Sequence, residues 1–230
     1  MIITVAVLVI WPVWAGLYTD WLWFQDLNYG VVFSTVLGTQ AMLGLAVGLF
    51  AAAFAWLNFR LAVRLSPTTQ HFGTSYGTPE EGTPLSELAA MGGMIHRFII
   101  PASLAIGVFA GMFAWSAWDV FLRYRYQQPF GDTDPIFGRD IGFYFFTLPL
   151  LDSLSGLLFA LGIVSLLVTA VIYIGRAASQ SVTGTTGVLR QRGPRAHMLG
   201  FAAALFLLIA WQVYLSMPNL LYSAPPCQHS

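Results

Sequence analysis

The sequence predicts an all-α protein that crosses a membrane several times, as a bundle of about five helices. Its 230 residues are 57% hydrophobic and only 9% charged, whereas a soluble domain carries about 25% charged residues. Several apolar runs reach the roughly 20 residues that a helix needs to cross a hydrocarbon core. The net charge is zero and the only cysteine is Cys227. This composition argues against a nucleic-acid partner and against a cysteine-based metal cluster.

The apolar runs set the predicted elements in chain order. The first run begins at the N-terminus without a basic region or a cleavage site, so we expect a retained span rather than a signal peptide, with a bend at Pro12. The five spans are expected at residues 2–17, 31–57, 95–118, 150–174 and 196–215. Between and after them we expect inner linkers at 66–93 and 176–195, an ordered outer segment at 119–149 and an outer tail at 216–230.

Local signals predict two further helix boundaries. Pro84 is suited to the first turn of a short helix in the first linker, and the glycines at 92–93 would end that helix. Pro149 is likewise suited to the start of the fourth span, and Asp152 favours the positive end of that helix's dipole.

The placement of arginine predicts the orientation, because the cytoplasmic loops of membrane proteins are enriched in basic residues. All ten basic residues are arginine. With a cytoplasmic N-terminus, the inner segments hold Arg60, Arg64, Arg97, Arg176, Arg190, Arg192 and Arg195. The outer segments then hold Arg123, Arg125 and Arg139. We therefore expect a protein of the bacterial inner membrane with a periplasmic C-terminus.

The outer segment concentrates charge and aromatic rings in "PFGDTDPIFGRDIGFYFFTLPLLD", residues 129–152. Carboxylates at alternate positions resemble the start of a calcium loop, but its glycine and distal glutamate are absent. Aspartate beside proline or glycine is typical of turns, so turn-forming aspartates are expected, and a calcium or magnesium site is the alternative. We expect no cofactor. The candidate partner contacts are aromatic anchors and polar groups: Trp21, Trp23, Phe24, Asp132, Asp134, Arg139 and Asp140.

Three stretches carry a resemblance to a known family. They are "YTDWLWFQDLNYGVVFSTVLGTQ" (18–40), "PFGDTDPIFGRDIGFYFFTLPLLDSL" (129–154) and "LLYS" (220–223). Together they resemble uncharacterised protein family 0182, a family of bacterial multi-pass membrane proteins, over nearly the whole chain. The resemblance implies further spans and a large soluble domain outside the membrane beyond this stretch, whereas the sequence ends at "APPCQHS".

Inside the predicted spans the sequence offers small and uncharged polar residues. GxxxG spacing lets helix backbones approach closely, and it predicts packing seams at Gly44, Gly48, Gly107 and Gly111, although it also arises by chance in glycine-rich helices. The polar groups can bond to neighbouring helices or to their own backbone; they are Gln40, Ser103, Ser116, Ser165, Thr169 and Gln212. His197, at a span end, is expected to be solvated or satisfied rather than a ligand.

Two functional interpretations follow. No nucleophile motif, metalloprotease motif or phosphate loop indicates an enzyme. The first interpretation is a non-catalytic accessory subunit that stabilises a larger integral-membrane complex, with respiratory or photosynthetic assemblies as candidate hosts. The alternative is a channel or transporter, or a truncated relative of one. The first is favoured because ion-coupled transport usually leaves ionisable groups within the spans. The expected partners are other membrane-protein subunits and lipids, with no nucleic acid and no soluble substrate.

Overall fold

The computed structural model describes residues 2–66, 84–179 and 192–219, with side chains over 11–66, 97–176 and 192–218. In these ranges the chain forms α1 (Ile2–Asp26), α2 (Gly30–Leu65), α3 (Pro84–Ser116), α4 (Trp118–Arg125), a π-helix (Phe143–Thr147), α5 (Leu148–Ser179) and α6 (Arg192–Asn219). The prediction of an all-α polytopic membrane protein is confirmed.

Four stretches of the described residues are long and apolar enough to cross a membrane: Gly30–Leu65, Arg97–Ser116, Phe143–Arg176 and Arg192–Pro218. The remaining predicted span, residues 2–17, lies in α1, whose residues 2–10 fall outside the described side chains. It therefore stays a prediction, as does the outer tail beyond residue 219.

The helices extend past the predicted spans, and one predicted helix end, at the glycines 92–93, is wrong. α3 continues from Pro84 through the glycines at 92–93 to Ser116, because glycine lowers helix stability by only about 1 kcal/mol and does not by itself end a helix. α5 begins at Leu148, beside Pro149 as predicted, and the π-helix directly precedes it. There the Leu148 N–H donates to the Phe143 carbonyl, and the wider turn accommodates Pro149, which has no N–H to donate.

The core is a stripe of small residues along α2 that packs against α3 and α5. Ala51, Ala55, Phe59 and Ala62 are buried and recur three or four positions apart, so they lie on one helical face. At the end of the bundle where α2 finishes, called the inner end after the predicted orientation, this face packs against Ile99 of α3 and against Ile172 and Tyr173 of α5. Burial of alanine brings the helix backbones close together, and α2, α3 and α5 are the central helices of the bundle.

The two GxxxG pairs face each other across the contact between α2 and α3. A methyl group added at Gly107 would lie 2.7 Å from the Gly48 carbonyl oxygen and 2.7 Å from the Ala52 Cβ. One added at Gly111 would lie 2.7 Å from the Gly44 carbonyl oxygen. The four glycines thus form a packing seam within the chain, between α2 and α3.

Two buried hydroxyls on α5 have no hydrogen-bond partner among the described residues, those of Ser165 and Thr169. Replacing Thr169 with valine keeps the shape and removes the unpaired hydroxyl. We expect this variant to match or exceed the wild type in stability, by up to about 1 kcal/mol, because a buried polar group without a partner is destabilising.

The matched control for Thr169→Val is Ser103→Ala on α3, since the Ser103 hydroxyl is also buried but donates to the Ile99 carbonyl at 2.6 Å. Thermal unfolding in detergent measures the stability of both variants relative to the wild type. A clear loss of stability in Thr169→Val would show that its hydroxyl is satisfied in the folded protein.

The first helix lies at the periphery of the bundle. It joins α2 through a short turn in which Asn28 adopts a left-handed conformation, φ 58°. Apart from Phe24, which is half-buried, every described side chain of α1 is exposed. The Phe24 ring contacts the Phe33 ring of α2, with centroids 5.6 Å apart. The rest of the described part of α1 therefore presents its surface outward.

Candidate functional site

Asp140 organises the loop at the centre of the outer segment. Its carboxylate accepts hydrogen bonds from the backbone N–H groups of Phe130 (3.3 Å), Gly131 (3.0 Å) and Gly142 (2.6 Å). These bonds, with that from Gly142 the strongest, hold the pKa of Asp140 below its usual value. Gly131 adopts φ +83°, a conformation that favours glycine. Asp140 is thus a turn-forming residue of the segment itself.

Asp134 closes the second turn of the same loop. Its carboxylate accepts from the Phe137 N–H at 2.7 Å and from the Tyr144 hydroxyl at 3.1 Å. The Phe137 bond is the main reason that the pKa of Asp134 lies below its usual value. Between the two aspartates, the Asp134 N–H donates to the Arg139 carbonyl at 2.8 Å. A short hairpin results, with Gly138 at φ +65° in its turn.

The loop is anchored on α6 through Arg139. The Arg139 guanidinium lies 4.2 Å from the centre of the Phe143 ring and donates to the Tyr214 hydroxyl at 3.3 Å. Below it, Tyr144, Leu148 and Leu215 form a buried cluster. The outer segment is therefore a folded platform joined to the outer ends of α5 and α6, with helical and hairpin parts.

The predicted contact residues fall into two separate groups. The hairpin holds Asp132, Asp134, Arg139 and Asp140. The side chains of the last three bind within the chain, and the Asp132 carbonyl oxygen accepts from the Ile141 N–H. Within the described residues no hydrogen bond or ring contact joins this group to the aromatic anchors on α1, which are Trp21, Trp23 and Phe24. The described residues also contain no cluster of three potential metal ligands.

The lowered pKa values of Asp134 and Asp140 predict acid sensitivity of this platform. A carboxyl whose pKa is lower in the folded than in the unfolded protein stabilises the fold at pH values above its pKa in the unfolded chain, about 3.9. This stabilisation is lost as the pH falls through the lowered folded pKa values. We expect amide exchange in residues 128–142, corrected for its intrinsic pH dependence, to rise below about pH 4 while α2 stays protected.

The residue-specific form of this test is Asp140→Asn at pH 6. The amide offers one acceptor oxygen and an NH₂ group that cannot accept a backbone N–H. We expect faster exchange in residues 128–142 for this variant. Asp132→Asn is the matched control, because the structure uses the backbone rather than the side chain of Asp132 in the hairpin. Equal exchange in the two variants would contradict the assigned role of Asp140.

A second polar cluster, which the sequence did not predict, joins three helices at the inner end. The Tyr173 hydroxyl lies 2.9 Å from His197 Nδ1, and His197 Nε2 lies 3.4 Å from Asn58 Oδ1. Asn58 Nδ2 donates to the Phe54 carbonyl at 2.7 Å. Because the Asn58 amide oxygen is an acceptor, a neutral His197 with its proton on Nε2 satisfies both contacts, donating to Asn58 and accepting from Tyr173. This inner cluster (Asn58, Tyr173 and His197) ties α2, α5 and α6 together.

Weak sequence signals for the inner cluster existed. Asn58 is an amide two residues before Arg60, and Tyr173 is a phenol in an aliphatic stretch. A polar group in a mostly apolar helix needs a partner when it is buried, but no spacing within one helix connects residues 58, 173 and 197.

The long apolar helices, the glycine seam and the polar groups gathered at both ends of the bundle define a polytopic α-helical membrane protein. The sequence pattern of the Uncharacterised protein family (UPF0182) matches residues 1–229. The chain belongs to this family.

Relatives of the chain include UPF0182 proteins from several bacteria. The protein of Cupriavidus necator is 36% identical over 208 residues, which cover 90% of this chain and 22% of the relative. That of Geobacter sulfurreducens is 33% identical over 229 residues, covering 96% and 25%. That of Rhodococcus erythropolis is 36% identical over 194 residues, covering 80% and 19%. The chain thus spans about a fifth to a quarter of the length of these curated relatives. No solved structure matches the chain.

Proposed function

We propose that this chain is a non-catalytic membrane module that packs laterally against further membrane-embedded polypeptide and stabilises the resulting assembly. The observation that carries the proposal is an aromatic stripe on α1, formed by Trp11, Trp14, Tyr18 and Trp21. Their spacing of three, four and three residues puts them on one helical face. All four are exposed, at 68%, 64%, 53% and 41%.

An interfacial aromatic belt accounts for only part of this stripe. Trp and Tyr favour the headgroup level, which suits Trp21 near the outer end of α1. At 1.5 Å per residue, however, Trp11 lies about 15 Å further along the helix than Trp21. The stripe therefore reaches well below the headgroups. At that depth a flat aromatic face is better suited to packing against a neighbouring helix than to anchoring at the headgroup level.

The lengths of the relatives support the same proposal. In proteins four to five times as long, a module of this kind has further polypeptide beside it, and α1 is the described helix with the most uncovered surface. In the proposed arrangement the bundle of α2, α3, α5 and α6 holds itself together through the glycine seam and the inner cluster. α1 then remains available for the neighbouring polypeptide.

The experiment is purification of the full chain from its native membrane in mild detergent, with the mass of the assembly as the readout. We expect a hetero-oligomer that Trp14→Ala/Tyr18→Ala reduces to the lone chain. Phe206→Ala/Leu207→Ala on α6 is the control, since these side chains are even more exposed than Trp14 and Tyr18, at 73% each. Migration of the wild type as a lone chain, or saturable solute movement by the purified protein in liposomes, would overturn the proposal.

We further propose an inner-membrane location with the N-terminus in the cytoplasm and the C-terminus in the periplasm. Arginine placement supports it, because Arg60, Arg64, Arg97 and Arg192 lie together at one end of the bundle. Cys227, the single cysteine, lies outside the described residues and reports on the C-terminus. In intact spheroplasts a membrane-impermeant thiol reagent should label it from the periplasmic side. Labelling only after the inner membrane is opened would reverse the proposed orientation.

A further inference from the structure

Beyond its packing role, the inner end of the bundle has the chemistry of a lipid-binding site. We infer that it binds the phosphate group of an anionic phospholipid. The described residues place arginines from four helices at this end: Arg60, Arg64, Arg97, Arg176, Arg192 and Arg195. The acidic residues with described side chains lie on the opposite, outer side of the bundle: Asp20, Asp26, Asp119, Asp132, Asp134, Asp140 and Asp152. The inner end therefore holds no acidic residue among the described side chains.

The closest meeting of these helices joins the end of α2 to the start of α6. A methyl group at Gly193 would lie 3.3 Å from Leu65 Cδ2 and 3.6 Å from the Leu65 carbonyl. Arg64 and Arg192 are the immediate chain neighbours of these two residues, so they stand on contacting turns. α6 begins at Arg192, so the positive end of a 28-residue helix lies beside this contact. Two guanidinium groups on neighbouring turns are suited to a phosphate.

The surface beside the arginines suits the acyl chains of the same lipid. Leu57 and Leu61 precede Arg64 on the exposed side of α2, and Leu199 follows Arg195 on the exposed side of α6. The Arg60 guanidinium lies 4.9 Å from the centre of the Trp56 ring. Tryptophan beside arginine is typical of the headgroup level, where the arginine stem lies along apolar surface and its charge reaches the phosphates. A diacyl phosphate therefore fits this surface better than a free phosphate ion does.

The inference is tested by native mass spectrometry and lipid titration of the full chain in nanodiscs. The probes are phosphatidylglycerol, phosphatidylcholine and inorganic phosphate. We expect retained phosphatidylglycerol on the wild type, little retained phosphatidylcholine, and no displacement by millimolar inorganic phosphate. Arg64→Gln/Arg192→Gln should weaken phosphatidylglycerol binding by about fivefold per arginine, since one basic residue near an anionic surface contributes about 1 kcal/mol.

Matched variants make the test specific to the inner end. Arg123→Gln/Arg125→Gln removes the same charge from the outer end and should leave phosphatidylglycerol binding unchanged. Arg64→Lys/Arg192→Lys keeps the charge and should retain most of the affinity, and it serves as the readout if the glutamine variant does not fold. Equal retention of the two lipids, equal losses in the inner and outer variants, or displacement by inorganic phosphate would each overturn the inference.

Discussion

Replacing Gly107 with alanine is expected to lower the stability of the bundle more than a comparable change elsewhere on these helices. The new methyl group would lie 2.7 Å from a backbone oxygen of α2 and from the Ala52 Cβ, and neither atom is the end of a flexible side chain. α2 and α3 must therefore move apart. Overpacking of this kind destabilises by about 1–3 kcal/mol, which corresponds to a fall in melting temperature of roughly 2–12 °C. Gly107→Leu should prevent the close contact altogether.

The control for this prediction is Gly38→Ala on α2, where an added methyl group has nothing within 4 Å. This change should leave the melting temperature unchanged or raise it slightly, because alanine favours the helix by about 1 kcal/mol over glycine. Fluorescence-monitored thermal unfolding in one detergent compares the two variants. If Gly107→Ala is as stable as Gly38→Ala, the glycines do not form the contact between α2 and α3.

Replacing His197 with leucine is the second change with a large expected effect. The substitution removes the bonds that the imidazole makes to the Tyr173 hydroxyl and to the Asn58 amide oxygen. Tyr173 is buried, with only 4% of the residue exposed. A buried polar group that loses its partner destabilises by about 1–3 kcal/mol. We expect α6 to loosen first, because the inner cluster is its polar connection to α2 and α5. Amide exchange in residues 192–205 should increase more than exchange in α3.

A double-mutant cycle isolates this effect from the lost volume of histidine. Tyr173→Phe alone removes one hydroxyl and should be the milder single change. The combined variant His197→Leu/Tyr173→Phe has no phenol hydroxyl that could lose its partner. Its loss of stability should therefore be smaller than the sum of the losses in the two single variants. Strictly additive losses would show that Tyr173 and His197 do not interact.

The sequence predicted the class of fold because a lipid bilayer strongly limits the structures that a backbone can adopt within it. In a hydrocarbon core every backbone polar group must be paired within its own segment, so long apolar runs such as that around Gly44 and Gly48 become helices. The helix ends were less predictable. The glycines at 92–93 were predicted to end a short helix, but they lie within the continuous α3.

The candidate sites were predictable only where the contacts are local. Asp134 and Asp140 bind backbone groups close in the chain, and turn chemistry indicates that behaviour directly. Gly48 and Gly107 were each visible as small residues, but their mutual contact depends on how α2 crosses α3. The inner cluster requires residues 58, 173 and 197 to meet, which no periodicity within a single helix encodes.

The central claim, that α1 is the contact helix for neighbouring membrane polypeptide, is tested most directly by photo-crosslinking in the native membrane. A photoreactive amino acid is placed in turn at Trp11, Trp14 and Tyr18, and at Val13 and Gly16 as positions on other faces of the same helix. We expect protein adducts that recur at 11, 14 and 18 and are weak at 13 and 16. Lipid adducts alone, or equal protein adducts at all five positions, would contradict it.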